Sequence, residues 1–305
     1  MSAAQKSTNV RINRAPWPIR AAIRFGSAVA PEATARRALD LFTTPMRSSR
    51  VRALGASTQD AVERRLTIGA MRIATYTWGD IDRRPRVLLS HGWSSYGLRF
   101  VPWVAPLLDR GCSVVAFDQP GHGRNEAAKI TLPGFAETVR SVVEHFGEFD
   151  TAVGHSLGGA AVAAAMAHGA AIARAVLIAP AADGVAAMRR FANAIDLPEH
   201  RRQDVQRQLE LATGMKMDEF ASHQLAPRLA APALIVHDLM DTDVPWEEGE
   251  RYARFWPGAR LVNVQGLGHH RIVNDSEVMS LAMRFLAGEQ VGERVVSTQA
   301  LVFAG

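Results

Sequence analysis

Six short apolar runs punctuate the chain, at 87–89, 114–117, 151–153, 175–179, 233–236 and 261–264, with helix-like stretches between them. A strand that alternates apolar and polar residues has one wet face. Runs with no alternation need cover on both faces, as the strands of a parallel sheet packed between helix layers have. Helices are expected near 97–110, 131–147, 157–169, 246–256 and 271–287. Ahead of the first run, RRLTIGAMRIATYTW holds two β-prone stretches around Gly69 and reads as a hairpin. The expected fold class is α/β: a doubly wound, mostly parallel, eight-stranded sheet.

About fifty residues between Ala179 and Pro232 carry no strand signal. Helical stretches are expected there from near Pro198, proline suiting a first helical turn, and from about Asp218. An insertion at 184–230, at the carboxyl edge of such a sheet, reads as a lid over a ligand site. The alternative is scaffold helices packed on one side. The expected division is a basic segment 1–60, a main domain 61–288 with its helical insertion, and a tail 289–305.

The net charge of +5 is unevenly placed. Residues 1–60 hold 10 Lys+Arg against 3 Asp+Glu, while the rest is close to neutral. A basic arm attracts phosphate surfaces, but no aromatic interleaving marks a nucleic-acid face, and a solvated appendage is expected. Membrane-surface contact through 1–60 is the competing reading. The lone Cys112 gives no disulfide framework, and the most apolar stretch, 151–182, is broken by His155, His168 and Arg174. Arg24 interrupts the only leader-like run, so a cytoplasmic location is expected. Oligomeric state is not legible.

Chemistry concentrates at the ends of the apolar runs. Gly154-His155-Ser156-Leu157-Gly158 closes one run and opens a helical stretch. That context makes G-x-S-x-G informative: the glycines clear space where strand and helix meet, and Ser156 is presented at a tight bend. A serine hydroxyl needs a base beside it to act as a nucleophile. Past the next-to-last run lie Asp238, Asp241 and Asp243, and past the last run lie His269 and His270. Asp241 is the preferred acid, with Asp243 as the alternative. His269, on the Gly266-Leu267-Gly268 loop, is preferred to His270 as the base. Leu157, just after the serine, and Trp93, in Ser90-His91-Gly92-Trp93, are the candidate backbone N–H donors to a developing oxyanion. His122, in QPGHGRN, reads as part of a structural turn. Trp93, His155, Met188 and Phe191 are candidate substrate contacts, and Ile195, Met215, Met217 and Phe220 extend an apolar insertion.

The motifs HGW, DQPGHG, GHSLGG, HDLMDTDVP and GLGHH, in this order, resemble those of the α/β-hydrolase superfamily over about residues 64–288. The resemblance implies a serine hydrolase with no cofactor or metal, acting on a small ester through Ser156, His269 and Asp241. Amide, peptide, thioester and lactone substrates are alternatives, as is a non-catalytic binding protein on the same scaffold. Serine rather than aspartate at the bend disfavours the haloalkane dehalogenases and epoxide hydrolases. Two departures stand out: His237-Asp238 where His-Gly is commoner, and the basic segment 1–60.

Overall fold

The computed structural model describes residues 14–83 and 85–295. Residues 1–13 of the basic segment and 296–305 of the tail lie outside that range. In order, the elements are α1 (Trp17–Val29), α2 (Pro31–Thr43), α3 (Arg47–Leu54), β1 (Val62–Ile68), β2 (Met71–Trp78), β3 (Arg86–Ser90), α4 (Val101–Leu108), β4 (Ser113–Phe117), α5 (Leu132–Phe146), β5 (Thr151–His155), α6 (Leu157–Ala167) and β6 (Ala175–Ile178). Then follow α7 (Gly184–Ala194), α8 (Glu199–Thr213), α9 (Ser222–Leu225), β7 (Ala233–Asp238), α10 (Trp246–Phe255), β8 (Ala259–Val264), α11 (Gly268–Arg271) and α12 (Ser276–Leu286).

The eight strands form one sheet in the order β1-β2-β4-β3-β5-β6-β7-β8. The expected hairpin turns at Gly69. β2 runs antiparallel to β4, and every pairing from β4 through β8 is parallel. Strands β4 to β7 are buried at every position, which is why they read as unbroken apolar runs. Two layers cover the sheet. One centres on Phe135, Phe149 and Trp256, the other on Phe100, Trp103 and Val273. The central helix α6 is built almost wholly of Gly and Ala and is buried from Gly158 to Met166, so it lies close on the sheet and on α5.

The insertion expected at 184–230 is helical and leaves from the carboxyl end of β6. Its root is pinned to α10: the buried Glu248 accepts the Ala182 N–H at 2.7 Å and pairs with Arg190, and Arg251 meets Asp183 at 3.2 Å. The Asp183 side chain caps α7.

The N-terminal segment is not a solvated appendage. Ile23 of α1 and Ala35 and Ala38 of α2 are buried with Met188, Ala192, Val205 and Leu209 of the insertion, so the helical cap is built from two distant parts of the chain. The Ala15 N–H donates to Ala194 O at 2.8 Å, and Arg20 pairs with Asp196. The physical reason is that α1 and α2 each present an apolar stripe at helical spacing, and the insertion offers a complementary one.

Candidate active site

β5 ends at His155 and α6 begins at Leu157, leaving Ser156 alone between them with φ 54° and ψ −124°. A non-glycine residue held there costs about 1–3 kcal/mol, which the surroundings must offset. The Ser156 N–H donates to Ile178 O at 2.9 Å, and its carbonyl accepts from Gly159 N–H at 3.0 Å. Close approach also fixes the bend. A Cβ at Gly158 would lie 2.4 Å from the carbonyl oxygens of Ser90 and His91, and one at Gly92 would lie 2.9 Å from His155 O and Ser156 Cβ. The loop after β3, carrying Trp93, is therefore pressed directly against the serine.

The Ser156 Oγ–H donates to His269 Nε2 at 2.9 Å, and His269 Nδ1–H donates to Asp241 Oδ2 at 2.7 Å. Ser156 is 8% exposed, Asp241 is buried and His269 nearly so. The other carboxylate oxygen of Asp241 accepts the N–H groups of Asp243 and Val244, both at 2.9 Å. Burial by itself would raise the Asp241 carboxyl. The hydrogen bonds from His237, His269 and Val244 N–H, and the charge of His269, outweigh it and hold the group well below the usual carboxylate range. His270 stands apart, exposed and 3.3 Å from Asp243, so the two His–Asp combinations weighed from the sequence both exist, one buried at the serine and one at the surface.

Three residues take positions that the sequence did not disclose. Asp238 is wholly buried, its Oδ1 accepting the Met240 N–H at 2.6 Å and its Oδ2 the N–H groups of Leu267 and Gly268. It thus joins the loop that carries Asp241 to the loop that carries His269. The departure His237-Asp238 was the available signal, because a carboxylate buried at a strand end must find donors. His237 Nε2–H donates to Val244 O at 3.0 Å and lies 3.4 Å from Asp241 Oδ2, the same oxygen that His269 meets. His155, expected as a substrate contact, is buried and donates from Nε2 to His269 O at 2.8 Å, its ring against the His269 ring. Burial, with His269 nearby, keeps His155 neutral by pushing its pKa well below the ordinary imidazole value.

The Trp93 ring packs on His122 and Phe135, with centroids at 5.2 and 6.2 Å, leaving it half-buried. Ser94 follows at φ 49°, and its Oγ accepts the Met46 N–H at 2.9 Å, so the segment between α2 and α3 holds this loop from outside. Met188 is wholly buried among Ile23, Ala35 and Val205, which makes it a packing residue of the cap core, not an open pocket wall. Phe191 is half-buried with its ring 5.2 Å from that of Phe42. No group of His, Cys, Asp and Glu among the described residues has a metal-binding arrangement. No helix among them is long and apolar enough to cross a membrane.

A strained serine between a parallel strand and a helix, met by imidazole and carboxylate from the two last strand ends of a 1-2-4-3-5-6-7-8 sheet, defines an α/β hydrolase. The family model described as the alpha/beta hydrolase family matches residues 87–280, and the chain belongs to that family. Among solved structures it resembles a CIB-like hydrolase from Thermoplasma acidophilum at 19% identity and a TM-score of 0.57, covering 75% of this chain and 99% of that one. An esterase from Thermogutta terrifontis matches at 19% identity and a TM-score of 0.56, covering 75% and 98%. An esterase from Rhodococcus sp. ECU1013 matches at 19% and 0.53, covering 74% and 98%. At these identities the likeness concerns the fold. A search of curated proteins finds no match.

Proposed function

We propose that the chain is a serine hydrolase that cleaves small carboxylic esters through an acyl-enzyme. The observation that carries this reading is the relay of 2.9 and 2.7 Å from Ser156 through His269 to Asp241. Ser156 Oγ attacks the ester carbonyl while His269 Nε2 takes its proton. Asp241 holds the imidazole with Nδ1 protonated, which leaves Nε2 free to accept. The N–H groups of Leu157 and Trp93 receive the oxyanion, the first oriented by the start of α6 and the second by the pressure of Gly92 on the bend. His269 then returns the proton to the departing alcohol, and a water activated by the same imidazole releases the acid.

Short to medium apolar acyl groups suit the cap, whose partly buried Phe42, Phe191 and Met217 supply apolar surface. A fluorophosphonate probe with mass-spectrometric mapping tests the nucleophile, and a p-nitrophenyl ester chain-length series sizes the acyl site. The expected adduct is on Ser156, and Ser156→Ala should abolish both labelling and turnover. An adduct elsewhere, or an intact protein inert to the probe, would overturn the reading. Parallel assays with amide, thioester and lactone substrates rank the leaving groups.

A further inference from the structure

α1 is a surface helix whose outward face is as apolar as its buried one. Ile23 and Ser27 turn inward. Trp17, Pro18, Ala22, Phe25, Ala28 and Val29 are exposed, with Trp17 at 72%, Phe25 at 70% and Val29 at 62%. At 3.6 residues per turn these six fall on one continuous face that carries no polar side chain. Arg20 and Arg24 border it along one edge, and the helix has no acidic residue. Scattered exposed apolar residues are ordinary, but a contiguous stripe with an exposed Trp and Phe is not.

We infer that α1 docks the protein on an anionic lipid surface, with its apolar stripe at the headgroup–acyl boundary and Arg24 among the headgroups. Charge complementarity decides the occupant. Residues 14–54 hold eight arginines against Glu32 and Asp40, and even with Arg20 paired to Asp196, Arg36 to Glu32 and Asp40 to Lys129 the segment keeps an excess of positive charge. A second copy would bring two net-positive segments together, whereas an anionic bilayer neutralises the one it meets. The helix form fits as well: a short amphipathic helix with Trp and Phe on one face and Arg beside it lies in the plane of an interface. Because Ile23 of α1 belongs to the core of the cap, docking would bring the cap alongside the lipid. The inference stands on α1 alone and does not require the proposed chemistry.

The test is sedimentation of the full chain with sucrose-loaded vesicles of phosphatidylglycerol or of phosphatidylcholine. Pelleting is expected with phosphatidylglycerol and not with phosphatidylcholine, and it should weaken as ionic strength rises to about 0.5 M. The double variant Trp17→Ser/Phe25→Ser should lower vesicle partitioning at least tenfold while leaving turnover of a water-soluble ester unchanged, and Arg24→Gln should lower it severalfold. A second measurement does not depend on the folding of that double variant. Brominated phosphatidylglycerol should quench tryptophan emission of the natural chain, and Trp17→Phe should abolish most of that quenching while keeping the pelleting. Absence of pelleting, equal pelleting by the double variant, quenching unaltered in Trp17→Phe, or a dimer in sedimentation equilibrium that the double variant dissolves would each overturn the inference.

Discussion

Asp241 and Asp238 are both buried carboxylates at the end of β7, yet they answer to different partners. Asp241 turns one oxygen to His269 at 2.7 Å and the other to N–H groups of its own loop, while Asp238 serves backbone N–H groups on both loops. Their substitution should therefore fail differently. Asp241→Asn removes the acceptor that fixes the imidazole tautomer, and a loss on the order of 10⁴ in turnover is expected by analogy with the protease triad. Asp243→Asn, at the exposed His270, should stay near full rate, and the reverse outcome in steady-state kinetics would transfer the acid's role to Asp243. Asp238→Asn leaves an NH₂ facing either Met240 N–H or the Leu267–Gly268 pair. We expect turnover to drop by roughly 10–100-fold, the scale of a small misplacement of a reacting group, with KM little changed. A rise in KM at constant turnover would show that Asp238 acts on substrate binding instead of on the placement of His269. Ser156, Asp241 and His269 could be picked out of the sequence as candidates because each is a reactive residue type at a strand end. The sequence could not disclose Asp238, whose partners are main-chain groups that carry no sequence identity, two of them about thirty residues away.

At the scale of elements, strands were the most legible part of the chain. Burial on both faces writes itself as an unbroken apolar run, and the hairpin at Gly69 followed from local turn chemistry. The cap was half legible. Its insertion showed as a gap in the strand rhythm, but α1 and α2 were not recognisable as its other half. Their apolar residues are interspersed with arginine, and the surface they cover lies about 150 residues downstream. A cap made of two chain segments with one core should loosen as a unit. Met188→Ala, which empties the centre of that core, should cost about 2–5 kcal/mol of local stability. Amide hydrogen exchange should then accelerate together over 17–43 and 184–213, with the central strands unaffected. Acceleration confined to 184–213 would mean that the N-terminal helices fold onto something else. The bond from Met46 N–H to Ser94 Oγ links the same segment to the loop bearing Trp93, so loosening α2 and α3 should also slow turnover.

For the whole molecule, the buried histidines set how stability responds to acid. Burial pushes the imidazole of His91 down to about 4 and that of His122 down to about 3, and it holds His155 well below its ordinary value. In the unfolded chain each would take a proton near pH 6.5. Between that value and the folded values, the unfolded state binds more protons, so stability is full above about pH 6.5 and falls as pH drops below it. Asp118 opposes the trend. Burial, partly offset by N–H donors from Arg124 and Gly97 and the Tyr76 hydroxyl, raises its carboxyl, so the folded state holds up to one proton more as the medium acidifies. The lowered imidazoles outnumber the raised carboxyl, so the unfolded chain takes up more protons than the folded one and stability falls as the pH drops from 6 to 5. Urea midpoints should therefore be flat from pH 8 to 7 and fall steeply from pH 6 to 5. His122→Phe, which keeps a ring between Trp93 and Phe135, should flatten that limb by about one proton, or 1.4 kcal/mol per pH unit. A midpoint that holds constant down to pH 5 would mean that these imidazoles accept protons in the folded state, and hence that water reaches the interior beneath the bend at Ser156.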